Sequence, residues 1–301
     1  MEILSGPVLV IANPAARRAG RLLRKARAAF EQIGVRCEVA LTERPGHAAE
    51  LATQRHSSYR AVFTLGGDGT AMEVIGALAG TGVPVGILPG GTGNLVARSL
   101  GIPLALDNAV PALIRGDVAR VDLGVVNGSR RFAFTAGVGI DARMIHETRP
   151  ELKRRFGIAA YLVSAVKAVV QRRNFAVRVT ADGEVIERPA VALMVANFGA
   201  VLNELIVLGP GIRQDDGRLD LCVFSPGSFR DAVRLAWRLF RKDFRPHPQL
   251  LYRAGREFRI ECTPHQIVQA DGEVLGVTPF DVRVEPLAAT LLVPRAAGRR
   301  D

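Results

Sequence analysis

Residues 60–79 read RAVFTLGGDGTAMEVIGALA, and the centre of that stretch, Leu65-Gly66-Gly67-Asp68-Gly69-Thr70, decides the fold. Arg60 to Leu65 is a β-rich run, and Thr70 to Ala79 has helical spacing. A glycine turn between a strand and a helix is the setting a phosphate-binding loop requires. Glycine tolerates φ > 0 and lets backbone N–H groups come close to phosphate oxygens. The following helix adds the partial positive charge of its N-terminus. Asp68 inside such a loop would repel phosphate unless a divalent cation lay between them, so the spacing predicts Mg²⁺ bridging. The competing reading is a tight turn with Asp68 as a helix cap. A second glycine loop, Pro89-Gly90-Gly91-Thr92-Gly93-Asn94, follows the next strand and should open on the same sheet edge. Two such loops side by side can enclose a triphosphate.

Working outward, strands are expected at Val8–Ala12, Val35–Leu41 and Val83–Leu88. Helices are expected at Arg17–Ile33, His47–Arg55 and Asn94–Leu100. This β-α-β-α rhythm predicts a Rossmann-like parallel sheet with helices on both faces, and ligands at the carboxyl ends of its strands.

After about residue 120 the pattern turns antiparallel. Val118–Val126 and Arg130–Val138 flank Asn127-Gly128, and Phe175–Thr180 and Glu184–Arg188 flank Asp182-Gly183, both hairpin signals. Leu219–Phe224, Glu257–Cys262, Ile267–Ala270 and Phe280–Glu285 are further strands, with a third turn at Asp271-Gly272. Helices are expected near Glu151–Arg173 and Ser228–Lys242. The expectation is therefore an α/β domain over residues 1–122 and a β-rich antiparallel sandwich with inserted helices over 123–301. The last fifteen or so residues are expected to pack back on the first domain. A length of 301 residues suits two domains.

Composition narrows the function classes. With 48% hydrophobic residues the chain is not a disordered one. Only four of the 40 basic residues are lysines, and the net charge is +11, which favours anionic partners. Aromatic residues make up 6%, too few for the basic–aromatic platforms that bind nucleic acid. No apolar run reaches the ~18 residues of a membrane span. The first residues lack signal-peptide character, which predicts a cytoplasmic protein. Cys37, Cys222 and Cys262 have no C-x-x-C spacing and read as buried thiols. The five histidines show no metal-ligand spacing.

There is no G-x-x-x-x-G-K-[ST] loop, no H-R-D or D-F-G signature, and no G-x-G-x-x-G after the first strand, where Asn13-Pro14-Ala15-Ala16 stands. Asn13-Pro14, the GGDGT loop at Gly66–Thr70 and the GGTGN loop at Gly90–Asn94 instead resemble the diacylglycerol kinase catalytic-domain family, which includes bacterial soluble lipid kinases and is similar to sphingosine kinases. The resemblance continues through Gly139-Ile140-Asp141-Ala142, Lys153, Gly157, Ala160-Tyr161, Pro210, Asp215-Asp216-Gly217, Leu219-Asp220 and Asp271-Gly272-Glu273.

The resemblance implies ATP-dependent phosphoryl transfer to a lipid hydroxyl, with ATP and Mg²⁺ required and a lipid alcohol such as diacylglycerol as acceptor. It implies nucleotide contacts at Asn13, Thr42, Gly66, Gly67, Asp68, Gly69, Thr70, Glu73, Gly91, Thr92 and Asn94, and catalytic roles for Glu273, as general base, and Asp68. It implies an accessory Mg²⁺ site at Asp216 with the carbonyls of Arg213 and Arg218. Read from spacing alone, Glu273 is an exposed residue after an Asp-Gly turn and Asp215-Asp216-Gly217 a solvated turn. Asp271 reads as a turn residue or orienter. The sequence departs from the pattern at Leu95, where many family members have Asp. Leu202-Asn203-Glu204 faintly resembles an Asn-Glu pair of NAD kinases.

A soluble lipid kinase must dock on its membrane transiently. Ser228–Arg245 places Arg230, Arg234, Arg238, Arg241 and Arg245 at helical spacing beside Val233, Trp237, Phe240 and Phe244. Such a helix could lie in an anionic lipid interface or pack on the core with a solvated arginine face. Alternatives to the lipid kinase are an NAD-type or other small-molecule kinase sharing the GGDGT loop, and a non-catalytic nucleotide or lipid sensor. A homodimer is left open.

Overall fold

The computed structural model describes residues 6–14, 19–139, 174–198, 200–201, 206–207 and 209–295. The expected helix at Glu151–Arg173, the motif residues from Ile140 to Tyr161, the Leu202-Asn203-Glu204 segment and the start of the Arg17–Ile33 helix lie outside the described residues.

The chain divides into two compact units. The first takes residues up to Val121 and those from Leu287 on; the second takes Asp122–Pro286.

The first unit is α/β. Strands β1 (Val8–Ala12), β2 (Cys37–Leu41), β3 (Ala61–Gly66) and β4 (Val85–Pro89) are parallel in the order β2-β1-β3-β4. β1, β3 and β4 are buried along their whole length, which is why they read as unbroken apolar runs. The far end of the last strand, β18 (Phe280–Val293), joins beside β4 through Leu291 opposite Val85. The expectation for Phe280–Glu285 therefore fell eight residues short.

Helices α1 (Ala19–Gln32), α2 (His47–Arg55), α3 (Asp68–Ala77) and α4 (Leu95–Ser99) connect the strands. α5 (Leu106–Ile114), which the sequence reading missed, buries Leu106, Ala109, Val110 and Leu113 despite Pro111. It packs against α1, while α2 packs against α3. Phe30 of α1 meets Phe63 of β3 edge-to-face at 5.0 Å, anchoring the helix on the sheet.

The second unit is an antiparallel sandwich. One sheet runs β14 (Leu250–Gly255), β13 (Leu219–Phe224), β10 (Ala192–Ala196), β7 (Thr135–Val138), β16 (Ile267–Ala270) and β17 (Glu273–Val277). The other pairs β9 (Glu184–Ala190), β8 (Phe175–Ala181), β15 (Glu257–Thr263) and the first half of β18, with β5 (Asp117–Val126) and β6 (Arg130–Phe132) beyond. Phe132, Phe175, Leu193, Leu221, Phe258 and Phe280 fill the space between them. The three Asn-Gly or Asp-Gly turns have both residues at positive φ, as at Asn127 (49°) and Gly128 (69°). This matches the twist of the hairpins they close.

One expected strand is two. Arg130–Val138 breaks at Ala133–Phe134: β6 pairs with β5 in one sheet, and β7 pairs with β10 and β16 in the other. Asp271 makes the break, because its carboxylate accepts hydrogen bonds from the N–H groups of Ala133, Phe134 and Thr135 at 2.8–3.0 Å.

Helix α6 (Phe229–Phe240) is capped by Ser228, whose hydroxyl accepts from Asp231 N–H. Phe244 does not join an exposed stripe; it stacks edge-to-face on Tyr252. Cys222 and Cys262 are buried, whereas Cys37 is only half-buried. Among the described residues no helix is long and apolar enough to cross a membrane.

Candidate nucleotide-binding loops and acidic sites

The first unit gathers its predicted residues at one sheet edge. Ala12 lies in register with Leu41 on one side and Leu65 on the other, and Gly66 with Pro89. Asn13, Thr42, Gly66–Thr70 and Gly90–Asn94 thus follow four adjacent strand ends in one row. Successive strands depart from β1 in opposite directions, β2 to one side and β3 to the other, and a crevice opens at such a reversal. Backbone bonds tie the row together: Thr42 N–H to Ala12 O, Asn13 N–H to Leu65 O, and Gly90 N–H to Gly66 O, at 2.9–3.0 Å. The Asn13 amide reaches Thr70 Oγ1 at 3.5 Å.

The positive φ expected of the glycines is not what the structure shows. No glycine of either loop adopts a positive φ; that conformation falls to Asn94, at 49°. What most of them provide is close approach. A Cβ on Gly91 would sit 2.6 Å from Gly67 Cα, one on Gly90 3.0 Å from Gly66 N, and one on Gly66 2.8 Å from Thr70 Oγ1. The two loops touch backbone to backbone. Gly69 differs: a Cβ there would meet nothing within 4 Å, so that side of the first turn of α3 is open. Its first N–H groups have no partner within the helix.

Asp68 is a cap, but of another helix. Its carboxylate accepts from Val96 N–H at 3.1 Å, in the first turn of α4. Burial pushes its carboxyl up, while the N–H groups of Val96, Leu95 and Asn94 pull it down. Glu73 is similarly occupied: its two oxygens accept from Gly46 N–H (3.0 Å) and Ala48 N–H (3.1 Å) at the start of α2. Glu73 thereby holds the segment that follows Thr42. The Asn94 side chain closes its own loop, accepting from Gly91 N–H and donating to Gly91 O. Thr92 is exposed at the tip.

The remaining predicted residues belong to the second unit. Glu273 begins edge strand β17, its side chain 54% exposed, and is ion-paired with Arg130. In the Arg213–Arg218 turn, Arg213 pairs with Asp215, and the Asp216 carboxylate accepts from Arg218 N–H at 3.0 Å. Behind it stands Asp122, fully buried, which the sequence reading passed over. It donates its N–H to Gln214 O at 2.6 Å and accepts from Gly217 N–H at 2.7 Å. Buried Asn197 in turn donates to Asp122 O and Ala133 O. A lone Asp within the apolar run Val121-Asp122-Leu123 was the available signal. Nearby Asp220 is pushed up to about 6, by burial first and then by the Asp216 charge.

Both kinds of site fit the groups the resemblance implies. Mg²⁺ usually keeps waters and takes one or two carboxylates plus substrate phosphates, so Asp68 suffices without an all-protein cage. Among the described residues no cluster of three or more His, Cys, Asp or Glu stands ready for a metal. At the Arg213–Arg218 turn the donors are all oxygens, as a hard cation prefers.

Comparison with known proteins agrees with this layout. The model of the diacylglycerol kinase catalytic domain matches residues 7–126, and that of the YegS C-terminal NAD kinase beta sandwich-like domain matches residues 135–293. An uncharacterized protein of Synechocystis is 30% identical over 77% of this chain, which spans 54% of that relative's length. A diacylglycerol kinase of Staphylococcus saprophyticus is 28% identical over 83% of this chain and 82% of its own. A crystal structure of a putative diacylglycerol kinase from Bacillus anthracis superposes with a TM-score of 0.80 over 96% of both chains, at 26% identity. With its paired glycine loops on a parallel sheet followed by the antiparallel sandwich, the chain belongs to the diacylglycerol kinase catalytic-domain family.

Proposed function

We propose that this protein transfers the γ-phosphoryl group of ATP to the hydroxyl of a lipid alcohol, with Mg²⁺. The observation that carries the reading is the pair of glycine loops packed backbone to backbone beside the open N-terminus of α3. Phosphoryl transfer asks a protein mainly for positioning and charge neutralisation. The α3 N–H groups and helix end would receive phosphate oxygens, and Asn13, Thr42 and Thr92 would border them. Bound Mg²⁺ would neutralise phosphate charge at Asp68. Glu273 would accept the hydroxyl proton as the oxygen forms its bond to phosphorus and the bond to the ADP oxygen breaks. Arg130, paired with Glu273, would orient that carboxylate. Asp216 and the carbonyls of Arg213 and Arg218 would hold an accessory cation. The domain boundaries proposed are those of the two compact units.

The test is ADP release, measured with Mg²⁺ and vesicles containing diacylglycerol, a sphingoid base or phosphatidylglycerol. Lipid-dependent release that falls at least about a hundredfold in Glu273→Gln supports the reading. No release with any lipid alcohol overturns it. The likeness of the C-terminal half to an NAD kinase sandwich favours one second reading, phosphorylation of NAD. Formation of NADP from NAD and ATP would decide for that instead.

A further inference from the structure

Helix α6 carries more apolar surface than its own packing uses. Ala232 and Leu235 turn inward and are buried. Phe229, Val233 and Trp237, spaced i, i+4, i+8, share a second face, and they are 52%, 45% and 57% exposed. A surface helix ordinarily turns its polar residues to water and its apolar stripe to the core. Here the exposed aromatic stripe is bordered by Arg230, Arg234 and Arg241, also exposed and also sharing one side of the helix. The Arg241 guanidinium lies 6.0 Å from the centre of the Trp237 ring.

Among the other charges of the segment, Lys242 adds one more exposed cation. Arg238 is paired with Asp243, which also holds Arg245. Asp231, the one acidic residue of α6, is bound by Ser228 at the cap. The exposed strip is therefore aromatic and predominantly cationic, with Asp231 its one acidic neighbour, within electrostatic reach of Arg234. A two-fold dimer through this face would set arginines against arginines, because such an interface is self-complementary. A chain of net charge +11 adds to that repulsion. An anionic bilayer matches both halves of the strip: phosphates for the guanidinium groups, and the headgroup–acyl boundary for Phe229, Val233 and Trp237.

We propose that α6 is a membrane-docking helix that lies in the interface of an anionic lipid bilayer. The proposal deepens the lipid-kinase reading, on which its purpose rests, by naming the surface through which the enzyme would meet its substrate. Docking itself is read without nucleotide or turnover.

Trp237 is the chain's only tryptophan, so its emission reports on α6 directly. On titration with phosphatidylcholine vesicles containing about one-third phosphatidylglycerol, the emission should shift to the blue and be quenched by brominated acyl chains. Pure phosphatidylcholine should do much less, and salt at about 0.5 M should weaken binding, because screening shortens the reach of the arginines. In vesicle sedimentation, Arg230→Glu with Arg234→Glu, and separately Phe229→Ser with Val233→Ser, should lower partitioning at least about tenfold with an unchanged melting temperature. These variants should keep wild-type turnover on a short-chain, water-dispersed diacylglycerol and lose it on vesicles. Trp237 emission indifferent to vesicles overturns the proposal, as does vesicle binding untouched by both double variants. A lipid-free dimer abolished by Phe229→Ser with Val233→Ser overturns it in favour of a second copy. Lipid binding with no turnover of any lipid would instead sink the kinase reading and leave the docking helix standing.

Discussion

The carboxylate of Asp68, at the first position of α3, accepts a hydrogen bond from the N–H of Val96, 28 residues on in α4. One side chain thereby fastens the two glycine loops, while burial works against its charge. Asp68→Asn keeps an oxygen for Val96 and discards the buried charge. The melting temperature should stay within about 2 °C of wild type, the range of a change near 0.5 kcal/mol. Lipid-dependent ADP release should fall at least about a hundredfold, because the proposed Mg²⁺ loses its carboxylate. A variant that is stable and fully active would remove Asp68 from the chemistry.

Gly69 and Gly91 should respond oppositely to the same substitution. At Gly91 the new methyl would press on Gly67 Cα, so Gly91→Ala should cost about 1–3 kcal/mol and weaken nucleotide binding with it. At Gly69 the methyl has room, and alanine is the better helix residue by up to about 1 kcal/mol. Gly69→Ala should therefore melt no lower than wild type while losing nucleotide affinity, since the methyl would occupy the open side of the first turn of α3, where the nucleotide is proposed to bind. Differential scanning calorimetry and titration with an ATP analogue check both.

Glu73→Ala should destabilise by about 1–2 kcal/mol by stripping the acceptors from Gly46 and Ala48, with Glu73→Gln recovering part of the loss. Amide exchange at those two residues is the direct measure. Faster exchange confined to them identifies Glu73 as the positioning group of the β2–α2 connection.

Asp271→Asn should be costlier than a surface change. Three N–H donors converge on this carboxylate, and hydrogen bonds to charged groups contribute about 1.5–3 kcal/mol each at most. A loss of about 2 kcal/mol is expected, a fall of about 4–8 °C in melting temperature. Denaturation that matches wild type would show that the β6–β7 crossing holds without it.

Much of the fold was legible because its signals are local. Ala61–Gly66 with the glycines after it, and the Asx-Gly turns, announce themselves within a few residues. What was illegible depends on partners far away. Nothing near Ala133 says that a strand must change sheets there; the cause is Asp271, 138 residues later. Pro111 hid α5, although Leu106, Ala109, Val110 and Leu113 carry the helical period plainly. Strands β10 and β14 went unread for want of flanking turn signals, and β17 went unread although the Asp271-Gly272 turn leads straight into it. The sequence singled out Asp68 and Glu73 as residues for a nucleotide, and the structure adds that they spend their carboxylates on the first turns of α4 and α2. The residues that shape the second unit's turns, Asp122 and Asn197, were missed because their role exists only once they are buried.

β18 lends its first half to the sandwich and Leu291 to the edge of β4. During synthesis the glycine-loop unit emerges from the ribosome first, yet the strand that covers its β4 edge is translated some 200 residues later. A nascent chain halted before Leu291 should present that edge bare to chaperones and to other nascent chains, so the half made earliest is the last to close.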